Sequence, residues 1–277
     1  MTKLHFDKNI LGIFIAIFLP LYPLFAQISD TGMPFLKYWN ADQYNAHSQN
    51  WGITQDQQGR MYFANTNGIL VYQGRSWHLI PAANQSAIKS VASDGKGKVY
   101  VGAVNDFGYL KPDSIGRLTY QTLTHLLPDS IQGFKDIWDI HCLGDTTYFR
   151  SSGRLLMLVN EQITSIFPKK RFHRSYQVNG QVYIIDLGQG LMRVVGDALE
   201  PFPKGDFFAN KRIYSILPHP SGKLLVCTEQ DGLGLLDTVT GEWLLFNQPK
   251  TNQFLVEKLI YRGVSITRNR YAFGTVA

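Results

Sequence analysis

Apolar and polar residues alternate in short runs from residue 50 to the end of the chain, and Gly, Asn and Asp punctuate the runs. That period belongs to half-buried strands, not to helices. The segment "DGKGKVYVGAVNDFGYL" at 94–110 shows the grammar. Its glycines invite comparison with a phosphate-binding loop, which requires them between a strand and a helix N-terminus. No helical period follows. Val99, Tyr100 and Val101 predict one strand, Asn105 and Asp106 a turn, and Tyr109 and Leu110 the start of a second strand.

The layout recurs at about forty residues, the spacing of a propeller blade. Copies read "NWGITQDQQGRMYFANTNGILVYQGRSWHLIP" (50–81), "IKSVASDGKGKVYVGAVNDFGYLKPDSIGRLTYQTL" (88–123), "IWDIHCLGDTTYFRSSGRLLMLVNEQITSIFP" (137–168) and "IYSILPHPSGKLLVCTEQDGLGLLDTVTGEWLLFN" (213–247), with a shorter fourth copy at 175–203. A sixth begins near Val256 and is half present. Each copy holds four strands, and four antiparallel strands make one blade. A lone blade cannot bury both faces, so the copies must stack around an axis. The expected fold is all-β, a β-propeller of four-stranded antiparallel blades, with about five and a half blades over residues 49–277. In this reading Gly95 and Gly97 make a turn, while Gly102 and Gly108 sit where φ is positive or a neighbouring backbone comes close. The third copy has Asp145 and Thr146 where others carry glycine, and the fourth lacks the Asp-x-x-Gly turn.

The unit "DQQGRMYFANTNGI" at 56–69 resembles the two-component-regulator propeller repeat, and residues 37–81, with Trp51 and Trp77, resemble the first blade of bacterial periplasmic sensors of that type. The resemblance runs from about Tyr38 to the end. It implies a propeller of seven or more blades followed, in a longer protein, by a triple-tyrosine immunoglobulin-like domain, a membrane helix and a kinase or helix-turn-helix output. None of those is in this sequence, so the resemblance implies an amino-terminal part of a sensor, with any kinase activity elsewhere in the parent.

Lys3 and Lys8, the apolar run from Ile10 to Leu19 and "LFA" at 24–26 predict a secretory leader over residues 1–26, cut after Ala26, followed by a lead-in over 27–48. Pro20 and Pro23 break the run where a membrane span would continue. Export to the periplasm or the extracellular space follows. The formal charge of +6 is mild, and with no basic face and an export signal nucleic acid is not an expected partner. The cluster Lys169, Lys170, Arg171, Phe172, His173 and Arg174 reads as a solvated loop. Cys142 and Cys227 are the only cysteines, too few for a disulfide framework, and are expected as buried free thiols.

The histidines have no metal-site spacing and no G-x-S-x-G elbow occurs, so neither a metal, nor a cofactor, nor a catalytic residue is assigned. The connections between second and third strands share one rim, where propeller ligands converge. Asn65, Asn105, Asp106, Arg150, Asp186, Glu229 and Asp231 lie on it. Arg150 replaces a small residue of other copies and suits a carboxylate or sulfate. Asn and Asp also occupy turns for backbone reasons alone. Trp51, Trp77, Trp138 and Trp243 are expected to pack between blades, with Trp51, near Tyr44 and His47, the candidate for stacking on a sugar. The expected function is non-catalytic sensing of a small molecule or glycan, passed to a downstream signalling domain, with a homodimer among the partners considered. An exported propeller lyase or lactonase and a protein-binding scaffold are the alternatives.

Overall fold

The computed structural model describes residues 37–276 except 129, 130 and 132. The predicted leader and most of the lead-in lie outside the described residues. Residues from Trp39 onward form one compact unit, and strands dominate it.

Five sheets have four strands each in the order of the chain. Blade 1 holds β1 (Asn50–Gln55), β2 (Met61–Asn65), β3 (Gly68–Gln73) and β4 (Ser76–Ile80). Blade 2 holds β5 (Ile88–Ser93), β6 (Val99–Ala103), β7 (Phe107–Pro112) and β8 (Leu118–Thr122). Blade 3 holds β9 (Asp139–Leu143), β10 (Thr146–Arg150), β11 (Leu155–Val159) and β12 (Gln162–Ile166). Blade 4 holds β13 (Phe172–Val178), β14 (Gln181–Asp186), β15 (Gly190–Val195) and β16 (Ala198–Pro201). Blade 5 holds β17 (Ile213–Pro218), β18 (Leu224–Thr228), β19 (Gly232–Leu236) and β20 (Trp243–Leu245). A sixth sheet is the hairpin of β21 (Ile260–Thr267) and β22 (Arg270–Thr275). Every pairing is antiparallel, as the alternation demands, and the chain is an all-β propeller.

Among the described residues two α-helices stand outside the strand pattern. Asn40 caps α1 (Ala41–Tyr44), with the Asn40 and Gln43 side chains bonding each other's backbone. The sixth copy does not start as a strand near Val256: Val256 lies in α2 (Pro249–Glu257), and the sheet begins at Ile260. Pro249 opens that helix, where its fixed φ suits the first turn.

The core lies between successive blades. Tyr62, Ile69 and Val71 of blade 1 meet Val91, Val99 and Val101 of blade 2, and Phe107 of blade 2 meets Phe149 of blade 3 at 4.8 Å between ring centroids. Similar clusters join blades 3 and 4, 4 and 5, and blade 5 to the hairpin. Close approach explains Gly102 and Gly108. A Cβ on Gly102 would stand 2.4 Å from Ser90 Oγ, and one on Gly108 would stand 2.0 Å from the Gln121 carbonyl oxygen. The missing glycine of the third copy is supplied one residue earlier, by Gly144 at φ +62°.

Candidate functional site

The first strands of all six sheets line one cavity of about 250 Å³, which marks the propeller axis. It continues into a mouth of about 280 Å³ at the rim where first strands begin and second strands end. What faces this mouth is set by a repeated backbone irregularity. The register between first and second strand shifts between Asn50 and Gly52, Ile88 and Ser90, Phe172 and Ser175, Ile213 and Ser215, and Ile260 and Arg262. A β-bulge leaves a residue outside the ladder and re-aims its side chain. The bulged residues are Trp51, Lys89, His173 with Arg174, Tyr214 and Tyr261, and all of them line the axial cavities. Blade 3 has no bulge, but Trp138 immediately precedes β9 and joins them.

The result is a ring of aromatic and cationic side chains. Trp51 and Trp138 meet edge to face at 5.7 Å. Lys89 Nζ lies 4.2 Å from the Trp51 ring and 5.1 Å from that of Trp138. Across the mouth, the Arg174 guanidinium lies 4.9 Å from the Tyr214 ring and 4.7 Å from that of Tyr261. Cations over aromatic faces are attracted by the ring quadrupole. Arg171 and Arg262 also line the mouth. Among the described residues, Lys89, Arg171, Arg174 and Arg262 make no salt bridge with a carboxylate. Trp138 and Tyr261 keep 37% and 47% of their surface exposed.

One carboxylate faces the site, and it is already paired. Asp139 Oδ2 accepts from Arg150 Nε at 2.9 Å and from Arg150 Nη2. It also accepts from the Ser175 backbone N–H at 3.0 Å and hydroxyl at 3.2 Å. Burial opposes ionisation of Asp139, but the Arg150 charge and these hydrogen bonds outweigh it and hold the carboxyl down to about 2. His141 Nε2 lies 2.8 Å from Ser175 Oγ. Burial lowers its pKa to about 4; Asp139 pulls it upward and Arg150 pushes it further down, so the ring is neutral at pH 7. His173 falls to about 4 through burial first and then Arg174, Arg150, Arg212 and Arg171.

The rim residues singled out in the sequence do share a rim, and their side chains have local partners. Asn65 is fully buried, donates to the His47 carbonyl and to Asn50 Oδ1, and accepts from the His47 N–H at 3.2 Å, tying the lead-in down. Asn105 sits at φ +52° and accepts from the Lys135 N–H at 2.9 Å, beside a separate hollow with Thr124 and Phe134. Asp106 accepts from the Thr122 hydroxyl at 2.7 Å. Asp186 accepts from the N–H groups of Lys169 and Lys170. Glu229 pairs with Arg212, and Asp231 with Lys211 at 2.7 Å. Of the set, Trp51 and Arg150 line the axial mouth.

Three readings change. Trp51 does not group with Tyr44: that ring packs at 5.4 Å on Trp77, and the partner of Trp51 is Trp138. Trp51 and Trp138 face the axis, whereas Trp77 packs on Trp39, Tyr72 and Phe63, and Trp243 on Phe207 and Phe208. The basic run at 169–174 is more than a solvated loop, because Arg171, His173 and Arg174 reach the mouth.

No protein-family model matches the chain, and no curated protein does either. Among solved structures it is similar to a streptogramin B lyase, with TM-score 0.59 and 15% identity over 82% of this chain and 76% of that one. It is also similar to virginiamycin B lyase from Staphylococcus aureus, with TM-score 0.56 and 13% identity over 82% of this chain and 84% of that one. The extracellular domain assigned to the hybrid two-component system BT3049 of B. thetaiotaomicron aligns with TM-score 0.47 and 16% identity, over 87% of this chain and 41% of that one. At these identities the likeness concerns the β-propeller fold alone.

Proposed function

We propose that the protein is an exported, non-catalytic sensory propeller whose axial mouth binds an anionic small molecule or acidic glycan. The observation that carries this reading is the charge of the bulge ring. Lys89, Arg171, Arg174 and Arg262 converge without carboxylate partners, and the one acid, Asp139, is neutralised by Arg150. Unpaired cations in a concave, partly desolvated site favour an anion, and converging charges raise its local concentration. Trp138 and Tyr261 offer exposed ring surface for an apolar sugar face. The absence of catalysis is inferred from the Ser175 and His141 contact. Asp139 bonds the serine and Arg150, not the imidazole, so no carboxylate orients the histidine as a base. A ligand that bridges blades on opposite sides of the axis favours one blade arrangement over another, which is all that a signal to a further domain requires.

Calorimetry with D-glucuronate and D-glucose tests the reading. Glucuronate is expected to bind and glucose is not, with affinity falling as salt rises. Lys89→Ala and Arg174→Ala should each weaken binding about tenfold, the loss of a charge-assisted contact of about 1.4 kcal/mol. Equal binding of the two sugars, or unchanged binding by both variants, would sink it.

A further inference from the structure

The axial mouth contains a buried polar atom that the fold leaves unanswered. His173 and Arg174 together oppose the single residue Ile185 in the blade 4 bulge, where in blades 1 and 2 the one bulged residue opposes none. The His173 ring stands edge-on to Tyr214 at 6.1 Å, and its Nδ1 is buried with no hydrogen-bond partner. Buried polar atoms are almost always paired, and this one belongs to a side chain that lines the mouth.

The charges around this ring come from every neighbouring element. Arg171 and Arg174 flank it in sequence, Arg150 approaches from β10, Arg212 from the segment before β17, and Arg262 from β21. The acid in the lining is Asp139 of β9, held by Arg150, and Arg212 is itself paired with Glu229 at 3.5 Å. An empty mouth therefore opposes a proton on His173, and an anion seated among these cations reverses the local field.

We propose that the axial site takes up its anion together with a proton, which His173 holds. The proposal rests on the anion-binding reading above and adds its regulation. Its sign follows from linkage. The bound state has the higher affinity for the proton, so binding tightens as pH falls from neutrality towards the low value of the empty site, and levels off below it. His141, which lines the inner cavity with its Nε2 beside the Ser175 hydroxyl, is the competing acceptor, and His141→Gln separates the two.

Inorganic sulfate is a suitable probe, since it stays a dianion from pH 7.5 to 5.5 and any dependence belongs to the protein. Calorimetry on the intact protein at the two pH values, in two buffers of different ionisation enthalpy, reads both affinity and proton count. Sulfate should bind at least about threefold tighter at pH 5.5, below the tenfold-per-unit ceiling of one proton, with net proton uptake. The slope should vanish in His173→Gln and persist in His141→Gln. Sulfate binding that is flat with pH, or a slope retained in His173→Gln, overturns the proton coupling and leaves the anion site standing. No sulfate binding at either pH overturns both.

Discussion

Arg150→Met tests how the mouth is built, because it removes the cation that pairs with Asp139 inside the propeller. Asp139 has 17% of its side chain exposed and Arg150 has 4%, so solvent cannot replace the guanidinium. Lowering a carboxyl from 3.8 to about 2 corresponds to about 2 kcal/mol of folded-state stabilisation at pH 7. Removing one member of a buried pair costs about 3–5 kcal/mol by precedent, because the other charge is left without compensation. The expected loss is therefore about 2–5 kcal/mol. At about 2–4 °C per kcal/mol for a chain of this size, the Tm falls by about 4–20 °C. Adding Asp139→Asn to Arg150→Met should recover more than half of the loss, since the stranded charge is then gone. The pH dependence has a definite sign. The folded pKa is depressed, so the pair's contribution is present above about 3.8 and is lost as pH falls towards 2. Urea melts of parent and Arg150→Met at pH 7 and pH 2.5 should thus converge at the lower pH. A variant within about 2 °C of the parent at pH 7, or a double variant no more stable than Arg150→Met, would refute the argument.

Two further perturbations separate the causes of other features. Gly108→Ala forces a Cβ onto the Gln121 carbonyl in the neighbouring strand and should cost about 3 kcal/mol, whereas Gly95→Ala, at φ +66° with open space around it, should cost about 1 kcal/mol, as urea titration would read. Burial pushes the Cys142 thiol up to about 11 and that of Cys227 up to about 12, so both should resist iodoacetamide at pH 8 in the native protein and react fully in urea; rapid native labelling of Cys227 would contradict the packing between blade 5 and the hairpin.

The fold was legible because each copy repeats one physical problem, a sheet that must cover two faces. The copies at 50–81, 88–123, 137–168, 175–203 and 213–247 each coincide with one four-stranded sheet to within about three residues at either end. It failed near Val256, where the apolar spacing of a short helix and of a strand cannot be told apart over so few residues. The rim was legible for the same reason: Asp186, Asn105 and Glu229 do end second strands or follow them. Which rim side chains face the axis was not. A carboxylate at a turn satisfies nearby N–H groups before it reaches a ligand, and Asp186 shows this with Lys169 and Lys170.

The facing residues were nevertheless written in the sequence, at or just before the start of each first strand. "NWGI", "IKSV", "IWDI", "HRSY", "IYSI" and "IYRG" all place a large aromatic or cation immediately before a small or polar residue. The second residue is confined by the neighbouring blade, as the 2.7 Å bond from the Ser90 hydroxyl to the Ile137 carbonyl at the entry to blade 3 shows. The first is freed by the bulge, so it can vary without disturbing the stack. The invariant demand of packing and the variable demand of recognition thus occupy adjacent residues of one strand. An alternation argument assigns them simply to opposite faces, and so it places Trp51 and Trp138 in the core. The register shifts at the start of five of the six first strands, which no residue type announces, turn these positions towards a common mouth.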